Sequence, residues 1–115
     1  MANSSELLNK KCEPCEGGVP PLEKEAAVQL LQALHDDWSM TNDGKWIRRE
    51  FEFTGYGRTM GFVNAVAWVA NTEGHHPDLE VGYYKCVVNY TTHAIDGLSE
   101  NDFICAAKID RLITG

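Results

Sequence analysis

Apolar and polar positions along the chain follow two periods, and the changes between them divide it into elements. After Pro21, the residues Ala26, Ala27, Leu30, Leu31 and Leu34 recur at the spacing of one helical face, predicting a helix over residues 21–35. Glu23 and Glu25 in its first turn suit the helix dipole. The period then falls to two. Trp38, Ser39 and Met40 begin a strand, Asn42-Asp43-Gly44 supplies a hairpin turn, and residues 45–53 continue as a second strand. Its apolar side is Ile47, Phe51 and Phe53, interrupted by Arg49. The helical period returns over residues 55–73, where Met60, Phe62, Val63, Val66, Ala67, Val69 and Ala70 form a broad stripe flanked by Trp68. Gly74 is a stop signal.

Residues 78–92 carry Val81, Tyr83, Val87, Val88, Tyr90, Thr91 and Thr92, all of strong β propensity, and bend near residues 82–85. Ser99 is a good N-cap with Asp102 at the capping-box position. It opens a last helix over residues 100–113, with Phe103, Ile104, Ala107, Ile109 and Leu112 as apolar surface. A short helix over residues 5–11 and a loop over residues 12–21, with two Gly and three Pro, precede all of this.

The order helix-strand-strand-helix-strand-strand-helix predicts an α+β fold: a four-stranded antiparallel sheet with helices packed on one face. A length of 115 residues implies one domain. Residues 1–21 read as an N-terminal extension with a CxxC loop and residues 22–115 as the domain itself. The apolar arc over 55–73 is too wide for a one-sided contact in so small a domain, so a homodimer or homotetramer is expected.

Charge narrows the function. Seventeen acidic residues against ten basic ones give a net charge of -7, and the longest basic clusters are Lys10-Lys11 and Arg48-Arg49. That pattern speaks against a nucleic-acid partner. The first residues lack the charged and apolar regions of a secretory signal, and no stretch approaches the roughly 18 apolar residues of a membrane span. A cytoplasmic protein without a membrane partner is expected. Cys12-Glu13-Pro14-Cys15 is a CxxC, but it runs into a Gly- and Pro-rich loop rather than a helix, and no second CxxC or HxxxH completes a zinc set. Cys86 and Cys105 fall inside an expected strand and helix, where buried thiols are common.

Three of the four histidines stand in two places, His75-His76-Pro77 and Thr91-Thr92-His93. With the bend centred near residue 84, the antiparallel partner of residue 75 is about residue 93. The hairpin therefore returns His93 to the rim that carries His75 and His76. Three readings of such a cluster stand open: cap histidines without function, a metal site, and metal-free acid–base catalysis. Adjacent histidines diverge rather than chelate, and no HExxH spacing occurs. Imidazole, with a pKa near 6.5, is the natural acid–base group at neutrality.

The run Glu73-Gly74-His75-His76-Pro77-Asp78, then Tyr83 or Tyr84, Thr91-Thr92-His93 and Gly97-Leu98-Ser99-Glu100-Asn101-Asp102, resembles the signature of the pterin-4a-carbinolamine dehydratases. Trp46, Phe51, Phe53, Phe62 and Ala67 stand where that family places its core, and the Cys12-to-Gly18 lead-in resembles bacterial-type members. The resemblance covers residues 7–113. It implies a hydro-lyase that converts a 4a-hydroxytetrahydropterin, left by an aromatic amino-acid hydroxylase, to quinonoid dihydropterin and water, without metal or other cofactor. It also implies that His75, His76 and His93 are the catalytic cluster, that His75 and His93 move the protons, and that His76 chiefly holds the pterin. Thr91, Thr92 and Asp102 are carried over as substrate-binding residues, with main-chain groups near the two threonines on the pterin's amide edge. Vertebrate members also serve as dimerisation cofactors for a homeodomain transcription factor, so a non-catalytic pterin-binding or dimerisation module is the alternative. Two departures stand out. The family often has a carboxylate four residues before the first histidine, where this chain has Asn71, and vertebrate members have a cysteine where this chain has Ile95.

Overall fold

The computed structural model describes residues 4–14, 20–41 and 43–114. The elements in chain order are α1 (Ser4–Leu8), α2 (Lys24–Gln32), β1 (Ser39–Thr41), β2 (Trp46–Glu52), α3 (Tyr56–Glu73), β3 (Asp78–Val81), β4 (Lys85–Tyr90), a 3-10 turn (His93–Ile95) and α4 (Glu100–Thr114). The four strands form one antiparallel sheet in the order β1-β2-β4-β3. The α+β fold expected from the sequence is the one observed.

Register decides which side of the sheet is covered. Ile47 pairs with Tyr90, Arg49 with Val88 and Phe51 with Cys86, and all six are buried. These residues share one face because side chains alternate along a strand. On the other face Trp46, Arg48, Glu50 and Glu52 are half-buried or exposed. The helices cover the first face. α4 lies at the centre, packed by α1, α2 and α3, and contributes Phe103, Ile104, Ala106 and Ile109 to the core. Arg49, which interrupts the apolar side of β2, stays on the core face. Its guanidinium donates to Asp110 at 2.7 Å and lies 4.2 Å from the centre of the Phe51 ring, so its charge is paired and its plane is packed.

The helices are shorter or more one-sided than their sequence patterns. α2 begins at Lys24 and ends at Gln32 rather than spanning 21–35, and Ala26 is exposed. α3 meets the core through Thr59, Phe62, Val66 and Ala70, a strict three-and-four spacing; Ala67 is exposed and Trp68 is 74% exposed. Leu112, expected on the apolar side of α4, is 41% exposed. α1, which precedes the expected domain, belongs to the core: its Leu7 is buried there, against α4.

Three turns set the ends of these elements. Asp43 and Gly44, with φ of 59° and 81°, make the β1–β2 turn; Asn42 lies outside the described residues. Gly74, at φ 67°, ends α3 in the left-handed region, and its amide and that of His75 both reach the carbonyl of Ala70. Gly97 pairs with Thr92 in an isolated bridge, and a Cβ there would fall 2.7 Å from the Cβ of Pro21. Only glycine lets the chain after β4 pass that close to the start of the domain.

Candidate active site

An open pocket of about 410 Å³ lies at the end of the sheet where α3 gives way to β3 and β4 gives way to the 3-10 turn. His75, His76 and His93 all line it. The β3–β4 register runs from Val81 opposite Cys86 to Asp78 opposite Asn89. Carried on, that register sets position 75 across from 92, one residue from the sequence expectation.

His75 is the most constrained of the three. Its Nε2 lies 2.6 Å from Oδ1 of Asp102, and its ring stacks on Tyr90 at 5.4 Å and 10°. Its side chain is 12% exposed. Burial pulls its pKa down, but the hydrogen bond and charge of Asp102 outweigh this, and the net value is raised above 6.5. Donation from Nε2 to the carboxylate leaves Nδ1 as the exchangeable nitrogen. His76 is exposed, with Nε2 3.3 Å from Oδ1 of Asn71. His93 is exposed on the 3-10 turn, with its ring edge-on to Trp46 at 5.5 Å and 79°.

Asp102 is fully buried. Its second oxygen accepts from the Thr92 hydroxyl and from the Ser99 amide, each at 2.9 Å. The Ser99 contact is the capping-box bond anticipated from the sequence. The carboxylate therefore has three donors, and it meets the pocket through His75 rather than at its surface. Thr91 and Thr92 line the pocket. The amide of Thr92 donates to Gly97 at 2.9 Å, and its carbonyl accepts from Ile95 and Gly97. Of the main-chain groups expected at a substrate's amide edge, those of Thr92 thus already bond within the protein.

The opposite wall comes from the segment before the domain. Cys12, Glu13 and Pro14 line the pocket. The Cys12 amide donates to Glu73 at 2.9 Å, and the Glu13 amide and carbonyl both bond to the side-chain amide of Asn101, at 3.0 and 2.6 Å. Glu73 also receives Lys108 at 2.7 Å. Burial pushes the Glu73 carboxyl up, and Lys108 with the Cys12 amide brings it below the ordinary carboxylate range. The Cys12 sulfur lies 3.5 Å from that of Cys105; Cys15, its CxxC partner in the sequence, lies outside the described residues. Among the described residues, no three His, Cys, Asp or Glu side chains are gathered as a metal-holding group, and no helix is long and apolar enough to cross a membrane.

The model of the family Pterin 4 alpha carbinolamine dehydratase matches residues 20–112. The chain belongs to this family. A Nitrosomonas eutropha protein, provisionally named pterin-4-alpha-carbinolamine dehydratase, is 58% identical over 113 residues, covering 98% of both chains. A similarly named Legionella pneumophila protein is 53% identical over 110 residues, covering 96% of this chain and 97% of its own. Among solved structures, a Brucella melitensis protein described as a transcriptional coactivator/pterin dehydratase superposes with a TM-score of 0.75 at 28% identity, covering 80% of this chain and 97% of that one. A pterin dehydratase-like protein described as a RuBisCO assembly factor shares the fold at a TM-score of 0.59 and 23% identity, over 68% of this chain and 90% of its own.

Against the carbinolamine dehydratase pattern, the two departures fall in different places. Asn71 still reaches His76, as a neutral acceptor in place of a carboxylate. Ile95 lies in the 3-10 turn and contributes no thiol to the pocket. Glu13, Glu73 and Asn101 stand in the runs quoted from the sequence without a place at the site, and the structure puts all three on the pocket lining. The lead-in motif was visible, but its bonds reach across 61 and 88 residues of chain.

Proposed function

We propose that this protein dehydrates 4a-hydroxytetrahydropterins. The observation that carries the reading is the convergence of three histidines on one pocket, one of them fixed and raised by a buried aspartate. In the reaction the C4a–O bond breaks, the hydroxyl leaves with an added proton as water, and the N5 proton is removed as the C4a=N5 bond forms. One group must give a proton and another must take one.

His75 gives the proton to the departing hydroxyl. Support comes from its raised pKa, which keeps more imidazolium present near neutrality, and from its exchangeable Nδ1. His93 takes the N5 proton; it is exposed and lines the same pocket. His76, beside Asn71, contacts the bound ring, and Thr91 and Thr92 form the floor beneath it. Asp102 acts as a positioning residue that fixes the His75 tautomer and raises its basicity. No cofactor enters these steps. A pocket of about 410 Å³ suits a bicyclic heterocycle.

In this reading the protein follows an aromatic amino-acid hydroxylase in tetrahydropterin recycling, in the cytoplasm, as a homodimer or homotetramer. The exposed Trp68 on α3 supports self-association. A non-catalytic pterin-binding or transcription-factor dimerisation role is the second reading, and the coactivator description of the Brucella melitensis neighbour is what favours it. Stopped-flow decay of a freshly generated 4a-carbinolamine separates them. A dehydratase accelerates the decay in proportion to its concentration and loses that effect on His75→Ala; a protein that binds the pterin without accelerating decay is a binding module.

A further inference from the structure

The strap Cys12-Glu13-Pro14 is held to the pocket with more care than a terminal loop requires. Glu73 takes the Cys12 amide, and the Cys12 sulfur touches Cys105. Asn101 takes both main-chain groups of Glu13. Pro14 adds a further restriction, since the residue before a proline is confined to extended backbone. Every one of these anchors acts on main chain or on the neighbouring thiol. Glu13 lines the pocket and is exposed, and among the described residues its carboxylate makes no hydrogen bond or ion pair.

The other acids near the pocket are already committed. Glu73 is paired to Lys108 and the Cys12 amide, and Asp102 is buried under three donors. The main-chain groups of Thr92 are tied to Gly97 and Ile95. A pterin presents two adjacent donors on its pyrimidine ring, the N3–H and the 2-amino group. Two parallel donors match the two oxygens of a carboxylate, as a guanidinium does. We infer that Glu13 is the residue that reads this edge of the ring, and that the anchored strap is a specificity element for 2-amino-4-oxo-pyrimidine-fused substrates. This rests on the pterin reading of the pocket and adds to it the group that selects the heterocycle.

The recognition is a ground-state contact, far from C4a and N5 on the ring. Glu13→Gln keeps the shape but sets an amide donor against one of the ring's donors. It raises KM and leaves kcat within about 3-fold, the pattern of a lost binding contact. A direct measurement does not depend on turnover: binding of 7,8-dihydropterin, and of its 2-oxo counterpart 7,8-dihydrolumazine, by fluorescence titration of the full chain. Glu13→Gln weakens dihydropterin roughly 10- to 100-fold, the usual worth of charge-assisted hydrogen bonds. It weakens dihydrolumazine far less, because that ring lacks the amino donor. Asn101→Ala, which frees the strap while keeping the carboxylate, weakens dihydropterin by a smaller factor.

Equal dihydropterin affinity in wild type and Glu13→Gln overturns the assignment even if the protein is an active dehydratase. Equal losses for the two ligands overturn it as well, since the contact would then not read the amino group, and so does a wild type that binds no pterin. A wild type that binds dihydropterin through Glu13 but does not speed carbinolamine decay leaves the assignment standing and removes the dehydratase reading instead.

Discussion

His75 and His93 line the same pocket and are held in opposite ways. His75 is walled in: Asp102 fixes one nitrogen, Tyr90 stacks on the ring, and the helix end at Gly74 sets its backbone. His93 rides on a short 3-10 turn, exposed, with only the edge of the Trp46 indole against it. A group that must be partly protonated at neutral pH gains from a fixed carboxylate partner, whereas a group that exchanges its proton with solvent gains from access. In the proposed scheme these two environments give two chemically identical side chains different tasks, one as acid and one as base.

The comparison breaks most severely when both members are removed. The double replacement His75→Ala, His93→Ala should leave a carbinolamine decay close to the uncatalysed rate. Each single replacement should lower kcat by about 10²–10⁴-fold, the usual worth of a required acid or base. The two effects should be non-additive if either imidazole, or a water in its place, partly covers for the other. Substantial turnover in the double mutant would refute the shared acid–base scheme whatever the family.

Removing only the constraint on His75 is the next test. Asp102→Asn keeps the size of the side chain and an oxygen for the Thr92 hydroxyl and the Ser99 amide, but sets amide hydrogens against Nε2 of His75, which must then accept and takes the other tautomer. A loss of about 1–3 kcal/mol of stability is expected as three charge-assisted hydrogen bonds become neutral ones. A kcat loss of about 10-fold or more is expected as well, of the size seen when an orienting partner is removed. The pH dependence of stability sharpens this. The His75 pKa is raised in the folded chain above the ordinary 6.5, so protonated His75 favours folding. Its contribution is fully present below about pH 6.5 and is lost as pH rises through the folded value. Melting temperatures across this range should fall with pH in the wild type and fall less in Asp102→Asn. Identical slopes in the two proteins would show that the Asp102 contact is not what raises His75.

How legible this contrast was in the sequence depends on the distance over which each contact acts. The strands, the hairpin that brings residue 93 back to residue 75, and the cap at Ser99 are local patterns, and the register differed from expectation by one position. The burial of Asp102 was not legible. A capping-box acid uses one oxygen within its own helix turn, and nothing in the spacing tells that the other oxygen meets a histidine 27 residues earlier. Arg49 is opaque for the same reason: its partner Asp110 is 61 residues away, so the sequence shows a charge interrupting an apolar stripe without the group that pairs it. The exposure of Ala67 and Trp68 reflects a helix that is apolar nearly all round, where periodicity cannot say which side meets the core.

His76 lies between the two extremes, exposed but touching Asn71. Its replacement by alanine should raise KM several-fold with kcat little changed, because a contact made equally in ground and transition states affects binding alone. A kcat loss as large as that of His75→Ala would move His76 into the proton transfer.

The smallest effect expected belongs to Asn71→Glu, which restores the carboxylate common in the family. Asn71 is exposed on the last turn of α3, and its side-chain oxygen is 3.3 Å from Nε2 of His76. A carboxylate there would add a charge to that contact. It would do so in solvent, where an exposed pair contributes about 0–1 kcal/mol. It would also sit near the C-terminal end of the helix, where the dipole disfavours negative charge. These terms oppose each other, so stability should stay within about 0.5 kcal/mol of wild type. Activity should be equal or up to a few-fold higher, through tighter holding of His76 against the ring. The effect should appear in KM, since Asn71 bears on the binding histidine and not on His75. A rise in kcat with unchanged KM would instead mean that position 71 acts on proton transfer, and that the division of labour between the caged and open histidines has been drawn in the wrong place.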